Sequence, residues 1–350
     1  MRFKYVGGLA CLGIILAAPL AAQQTVWLRG MKSFDYVSNR AGTTISVIDT
    51  ATNKVLPPIE GVEQTEAVAF SKDGSQVFVA IGGDTDAVAV YDQKTRKHIK
   101  DVKLSGWPND LRVTKDGKLA IVCINDTGAF DFISTDTLQL IKTIPVPAGK
   151  CHDLEVTGDS KYVVGGGRFA TIIDLQKLEP VGEIKFEETL QPLTIESNPD
   201  GSGKRIYFEI NKLNGFIVTD FATRKEVTRV HFPEEPKGFL GSTNTAHGIG
   251  IAPDGKTIWA NSSPSNAVFC YSLPDLKLLG VVRLPTIPVP GRDNISSNPD
   301  WIDFTPDSKT VYVTMAHLHS VVAIDVNTRK LITQIQVGEA PSRHAMLVLP

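Results

Sequence analysis

Short apolar runs, most of them four to six residues long with β-branched side chains, recur along this chain, and no stretch keeps a helical period of 3.6 residues. The runs come in sets. Each set begins with an apolar strand that stops at an Asp-Gly or Asp-Ser turn and resumes, as in "FSKDGSQVFVA", "VTKDGKLAIVC", "VTGDSKYVVGG", "SNPDGSGKRIYFE", "IAPDGKTIWAN" and "FTPDSKTVYVT". The turn aspartates are Asp73, Asp116, Asp159, Asp200, Asp254 and Asp307, spaced 43, 43, 41, 54 and 53 residues apart. A second element follows each turn: "AVAVYDQKTRK", "DFISTDTLQ", "ATIIDLQKLE", "FIVTDFATRK", "VFCYSLPDLK" and "VVAIDVNTRK", with one more copy, "ISVIDTATNK", near the start.

Four short strands in a unit of about 40–45 residues predict a blade of an all-β propeller. Strand A precedes the Asp-Gly turn, strand B follows it, strand C carries the "VID" pattern and strand D follows the "TxxK" turn. Six complete blades begin near residues 66, 109, 152, 193, 247 and 300, and strands B to D of a seventh lie near 34–60. Its missing A strand is "RHAMLVL" at the C-terminus. A ring closed by both termini leaves no free sheet edge. The expected architecture is one seven-bladed β-propeller over residues 23–350. An eighth blade would have to fit into 232–246 or 285–299, and neither stretch is long enough.

With the repeat in hand, "FDYVSNRAGTTISVIDTATNKV" and "KTVYVTMAHLHSVVAIDVNTRKLITQIQVGEAP" resemble the YVTN family of seven-bladed propeller repeats, here as "YVSN" and "YVTM". The resemblance spans nearly the whole chain after its first residues and implies the fold. It does not select a function, because such repeats occur in surface-layer proteins, binding proteins, lyases and dehydrogenase subunits.

The N-terminus adds a location. Arg2 and Lys4 precede an apolar run over residues 5–18, and "PLAAQ" offers small residues for cleavage near Ala22. Residues 1–22 therefore read as a secretory signal peptide, which makes the expected mature protein periplasmic or secreted, with no membrane span after cleavage. A net charge of -2 with scattered Lys and Arg argues against nucleic acid as a partner.

Aligning the blades on the turn aspartate and stepping back seven residues gives Glu66, Asn109, His152, Leu193, His247 and Asp300, with His344 at about the same place in the closing strand. Three of the chain's seven histidines thus share one register at one mouth of the channel. The B-to-C turns at the same face add Arg168, His317 and His319, along with Asp126 and Arg40. The two long D-to-A connections, 231–245 and 285–299 (which carries Arg292), open there too.

Imidazoles and carboxylates from different blades suit a small-molecule ligand or a metal ion. His152, His247 and His344 are the expected metal ligands and Zn or Cu the ions such donors favour. The same groups could act as general acid and base in a lactonase-like hydrolase or lyase, with Arg168 or Arg292 clamping an anion. A third possibility is a protein-interaction scaffold, or a partner of a redox enzyme, on the loop-rich face. No phosphate loop, Gly-x-Ser-x-Gly elbow or Cys-x-x-Cys-His haem site is present.

Cys123 ends a strand B at the mouth and Cys151 enters the next strand A at the same face, so a Cys123–Cys151 disulfide is expected, with Cys270 left as a thiol out of reach. The competing expectation is that Cys151 stays a thiolate and joins His152 as a soft metal ligand.

Overall fold

The computed structural model describes residues 30–146, 149–233 and 246–350. The proposed signal peptide and most of the 231–245 connection lie outside these residues. The described residues form seven four-stranded antiparallel sheets and one small two-stranded hairpin. Six blades run A to D in chain order: 65–103, 108–145, 153–185, 190–231, 249–283 and 299–336. We number these blades 2 to 7. Blade 1 takes strands B to D from Lys32–Asn39, Thr44–Asp49 and Lys54–Glu60, and its inner strand from Pro341–Leu349. The two ends pair antiparallel, from Lys32 opposite Leu349 to Val37 opposite His344. Successive inner strands lie side by side around the ring, so that all seven surround one axis.

The core explains why strands B and C are apolar nearly throughout. Each is buried on both faces. In blade 3, Ala120, Val122 and Ile124 of strand B pack toward blade 2, while Ile121 and Cys123 pack toward blade 4. The same division repeats until Val37 and Ile48 of blade 1 meet Tyr312, Val321 and Ala323 of blade 7. Strand D is the outer edge and carries exposed apolar residues such as Ile99, Ile141, Val227 and Ile332.

The turn aspartates act locally. Each accepts the backbone N–H two residues on, at 3.0 or 3.1 Å: Ser75 to Asp73, Lys118 to Asp116, Lys161 to Asp159, Ser202 to Asp200, Lys256 to Asp254 and Lys309 to Asp307. The residue after the aspartate has positive φ, between 56° and 86°, which favours Gly at 74, 117, 201 and 255 and is tolerated by Ser160 and Ser308. These turns occupy the face opposite the mouth and are structural. In the 285–299 connection, Thr286–Ile287 pairs with Ile295–Ser296 as a hairpin rather than a blade.

Cys123 and Cys151 are joined in a disulfide, with their Cα atoms 5.2 Å apart, and Cys270 is a buried free thiol. Cys151 is therefore not a thiolate ligand beside His152, which corrects that alternative.

Two tests follow from the closure. Deleting residues 341–350 removes the inner strand of blade 1, and we expect the cooperative melting transition seen by circular dichroism to be lost. Replacing both Cys123 and Cys151 by Ala should lower unfolding stability by about 3 kcal/mol in denaturant titrations, the usual effect of opening a loop of this size.

Candidate functional site at the channel mouth

The first residues of the inner strands are brought together, with one change in the ring. Pro341 lies opposite Asn39 as Pro108 lies opposite Ile124 and Pro299 opposite Met315, and His344 lies opposite Val37 as Val68 lies opposite Val79, so His344 sits two residues beyond the ring position held by Glu66. Ser342 is the true equivalent of Glu66, Asn109, His152, Leu193, His247 and Asp300, and Arg343 follows it as Asp110 follows Asn109 and Trp301 follows Asp300. His344 turns into the wall of blade 1, where Nδ1 lies 2.9 Å from Asp35 Oδ2 with both side chains fully buried. It does not join His152 and His247, so the three histidines expected together are not brought together.

Arg343 reaches across the axis. Nη2 donates to the His152 carbonyl at 2.8 Å, Nε lies 3.3 Å from Asp110 Oδ1, and the guanidinium sits 4.1 Å from the centre of the Trp301 ring. Its side chain is 4% exposed. Cation–π contact and a buried ion pair together hold it in place.

His152, His247 and Asp300, from blades 4, 6 and 7, form the chemical centre of the mouth. The Nε2 atoms of the two imidazoles face each other at 3.3 Å, with ring centres 5.2 Å apart and planes at 86°. His247 Nδ1 is held against Asp300 Oδ1, and the His247 ring stacks on Trp301 at 4.7 Å. Blade 6 can approach blade 7 this closely because residue 248 is glycine: a Cβ there would lie 2.0 Å from the Asp300 carbonyl oxygen. Asn261 secures the same corner, accepting from His247 N at 3.2 Å and donating to Asp300 O at 2.7 Å. On the far side of the mouth, Arg40 Nε lies 3.2 Å from Glu66 Oε1.

Burial dominates the electrostatics. It pushes His152 well below the usual histidine range, and His247, Arg343 and Arg40 add to the effect, so His152 is neutral. Burial raises Glu66 despite Arg40 and Arg343. It raises Glu209 well above the usual range against the opposing bond from Gly248 N, and Asp153 likewise, with Asp110 beside it adding repulsion. At Asp110 and Asp300 burial is outweighed, by Arg112 and Arg343 in the first case and by His247 in the second, and both carboxyls are lowered. Deeper in the channel, burial pushes Asp303 up to about 6.

The remaining expected residues are placed as follows. Asn109 is buried in the ring, and Leu193 belongs to the core between blades 4 and 5. His317 Nδ1 bonds to the Ser296 carbonyl at 3.0 Å, and His319 Nδ1 accepts from Ala340 N at 3.0 Å, so both tie connections together. Arg168 and Arg292 are exposed. Asp126 holds Trp107 N at 2.9 Å and positions that loop. Sequence reasoning missed Arg343, Trp301, Glu209 and Asp110. Trp301 and Asp110 sit one residue after ring positions, and that adjacency was the available signal. Among the described residues no group of three or more His, Cys, Asp or Glu side chains is arranged to hold a metal ion.

No protein-family model matches the chain, and no curated protein matches it. Solved structures do. Kuenenia stuttgartiensis hydrazine synthase matches with 20% identity over 83% of this chain and 92% of that chain, at a TM-score of 0.69. A Bacteroides fragilis NCTC 9343 protein assigned as a 6-phosphogluconolactonase matches with 18% identity over 90% and 98%, at 0.67. The dihydro-haem d1 dehydrogenase NirN, in complex with DHE, matches with 14% identity over 89% and 74%, at 0.61. At such identities the likeness carries the seven-bladed fold and no activity.

The buried pairs make two predictions. Burial lowers His344, but Asp35 and Asp303 outweigh it and the net shift is upward. The pair's contribution is then complete below the unfolded histidine pKa of about 6.5 and lost as pH rises through the higher folded value. The destabilisation caused by Asp35→Asn should therefore be larger at about pH 5.5 than at about pH 8.5 in denaturant titrations. Separately, Arg343→Met should cost about 3 kcal/mol of stability, because it strips a buried carboxylate of one of its two cations.

Proposed function

We propose that this protein is an exported propeller, built of YVTN-type repeats, that binds a small polar ligand at the loop-rich mouth of its channel. The observation that carries this reading is a set of buried polar atoms without a protein partner around that mouth: Glu66 Oε2, Asn109 Oδ1, His152 Nδ1 and Trp301 Nε1. Native proteins seldom leave such atoms unpaired, and their convergence beside an aromatic face is what a small-ligand site requires. The Cys123–Cys151 disulfide supports the exported setting, since such bonds persist in oxidising compartments. The repeat type rests on Tyr36 and Tyr312, which open "YVSN" and "YVTM" and are both buried in strand B.

Clefts on the opposite face do not compete with this site. One is lined by Ser71, Lys72, Asp73, Ser75, Gln76, Gly117, Thr135 and Asp136, and the carboxylate of Asp73 is already engaged by Ser71 and Ser75. A second reading, hydrolase or lyase chemistry, is favoured by one feature: His247 is backed by Asp300, as a general base is.

A thermal-shift panel of small carboxylates, amines and sugar phosphates tests the reading in the presence of EDTA. A ligand at about 100 times its Kd stabilises by about 2.7 kcal/mol, well within detection. We expect at least one class to raise the melting temperature of the wild type and not of Glu66→Gln or His247→Gln. A panel that shifts nothing, or shifts the variants equally, overturns it.

A further inference from the structure

The facing imidazoles define more than a polar wall. A separation of 3.3 Å is long for a hydrogen bond between ring nitrogens. Two imidazoles on one tetrahedral ion, with metal–nitrogen distances of about 2.0–2.1 Å, hold their nitrogens about 3.3 Å apart and their ring centres about 5.2 Å apart. His152 and His247 show 3.3 Å and 5.2 Å.

We propose that His152 Nε2 and His247 Nε2 bind a single zinc-class divalent transition-metal ion at the channel mouth, with two positions left for water or the ligand. The proposal rests on the mouth being a binding site and names the ion that the site carries.

Three further features agree. His247 Nδ1 lies against the Asp300 carboxylate, which leaves Nε2 as the nitrogen turned toward His152, and a carboxylate behind the far ring nitrogen is the second-shell arrangement typical of metal-bound histidine. Both guanidinium groups near the pair have a carboxylate partner, Arg40 at Glu66 and Arg343 at Asp110, and Asp300 brings negative charge to the imidazoles. The backbone on either side of the site is fixed: Cys151 is in the disulfide, the His152 carbonyl is held by Arg343, and His247 N is held by Asn261. Cys270 is buried elsewhere, in strand C of blade 6, and does not compete for the ion.

The test uses mature protein stripped with EDTA and dialysed. Zn(II) titrated by calorimetry should bind at one per chain, and Co(II) should give visible d–d absorption of the intensity expected for four-coordinate sites. X-ray absorption at the zinc edge of the wild type should show two imidazole ligands, a readout that depends on no variant. His152→Gln and His247→Gln, checked for wild-type melting, should lose the one-per-chain site. Asp300→Asn should weaken Zn(II) binding by about 10–100-fold. His98→Ala, in an exposed pair with Asp101, should leave it unchanged. Absence of Zn(II) binding at about 100 µM, no imidazole at the edge, or full binding by both Gln variants overturns the proposal. Ligand shifts that persist in EDTA would leave the mouth reading standing while the metal falls, so the two failures are distinguishable.

Discussion

The inner strand of each blade has one edge that no strand of its own sheet pairs with. The inner strand bonds to strand B on one side and faces the channel axis on the other, where its N–H and C=O groups are buried at the mouth. Unpaired buried backbone groups are costly, and seven of them in a ring would be prohibitive. The protein meets this constraint with polar side chains that reach from one blade to the inner strand of the next. Asp110 accepts from Leu154 N at 3.2 Å, Asp153 from Leu193 N at 2.7 Å, and Glu209 from Gly248 N at 2.6 Å, while Asn261 donates to Asp300 O at 2.7 Å. These clasps run around blades 3 to 7 and set the spacing of the inner strands. The covering of apolar surface between blades works at larger radius and does not address this edge.

The same clasps create the chemistry of the mouth. Carboxyl groups placed to satisfy backbone donors are necessarily buried, and burial favours the neutral form unless a cation stands nearby. Asp153 and Glu209 are accordingly raised, whereas Asp110 is held ionised by Arg112 and Arg343. Arg343 comes from the closing strand and touches blades 3, 4 and 7. The C-terminal strand therefore closes the ring of blades by pairing with Lys32–Asn39 and also supplies charge at its centre. The strand that closes the fold also lines the site.

The fold was largely legible in the sequence because the turns are local. Asp73, Asp116 and their counterparts form bonds with residues two positions away, so the pattern that marks them needs no knowledge of the tertiary structure. The site was legible where that ruler applied. Counting back from the turn placed His152, His247 and Asp300 in one register, and they do meet. It failed at His344 because the inner and second strands of blade 1 come from opposite ends of the chain and share no turn, so nothing local fixed the register. The partner relations were also hidden. That Gly248 permits the approach of Asp300, or that Trp301 stacks on His247, depends on distances between blades that no spacing encodes.

His152 illustrates how a side chain in a strand-start position becomes part of a site. On its N-terminal side the disulfide of Cys151 ties it to strand B of blade 3, and on its own carbonyl Arg343 ties it to blade 1. His152 N donates to Gly166 O at 3.0 Å within its own blade. Backbone tethers to three blades leave its ring little choice of position, and the ring is buried far enough to stay neutral. His247, which it faces, is oriented separately by Asp300, Asn261 and Trp301. Two imidazoles fixed from independent directions, with their nitrogens directed at one point, are not required by the propeller wall: Leu193 occupies the same register in blade 5 and is ordinary core. The arrangement buries polar rings where Leu193 buries an apolar side chain, which is the physical ground for the proposal that it serves binding.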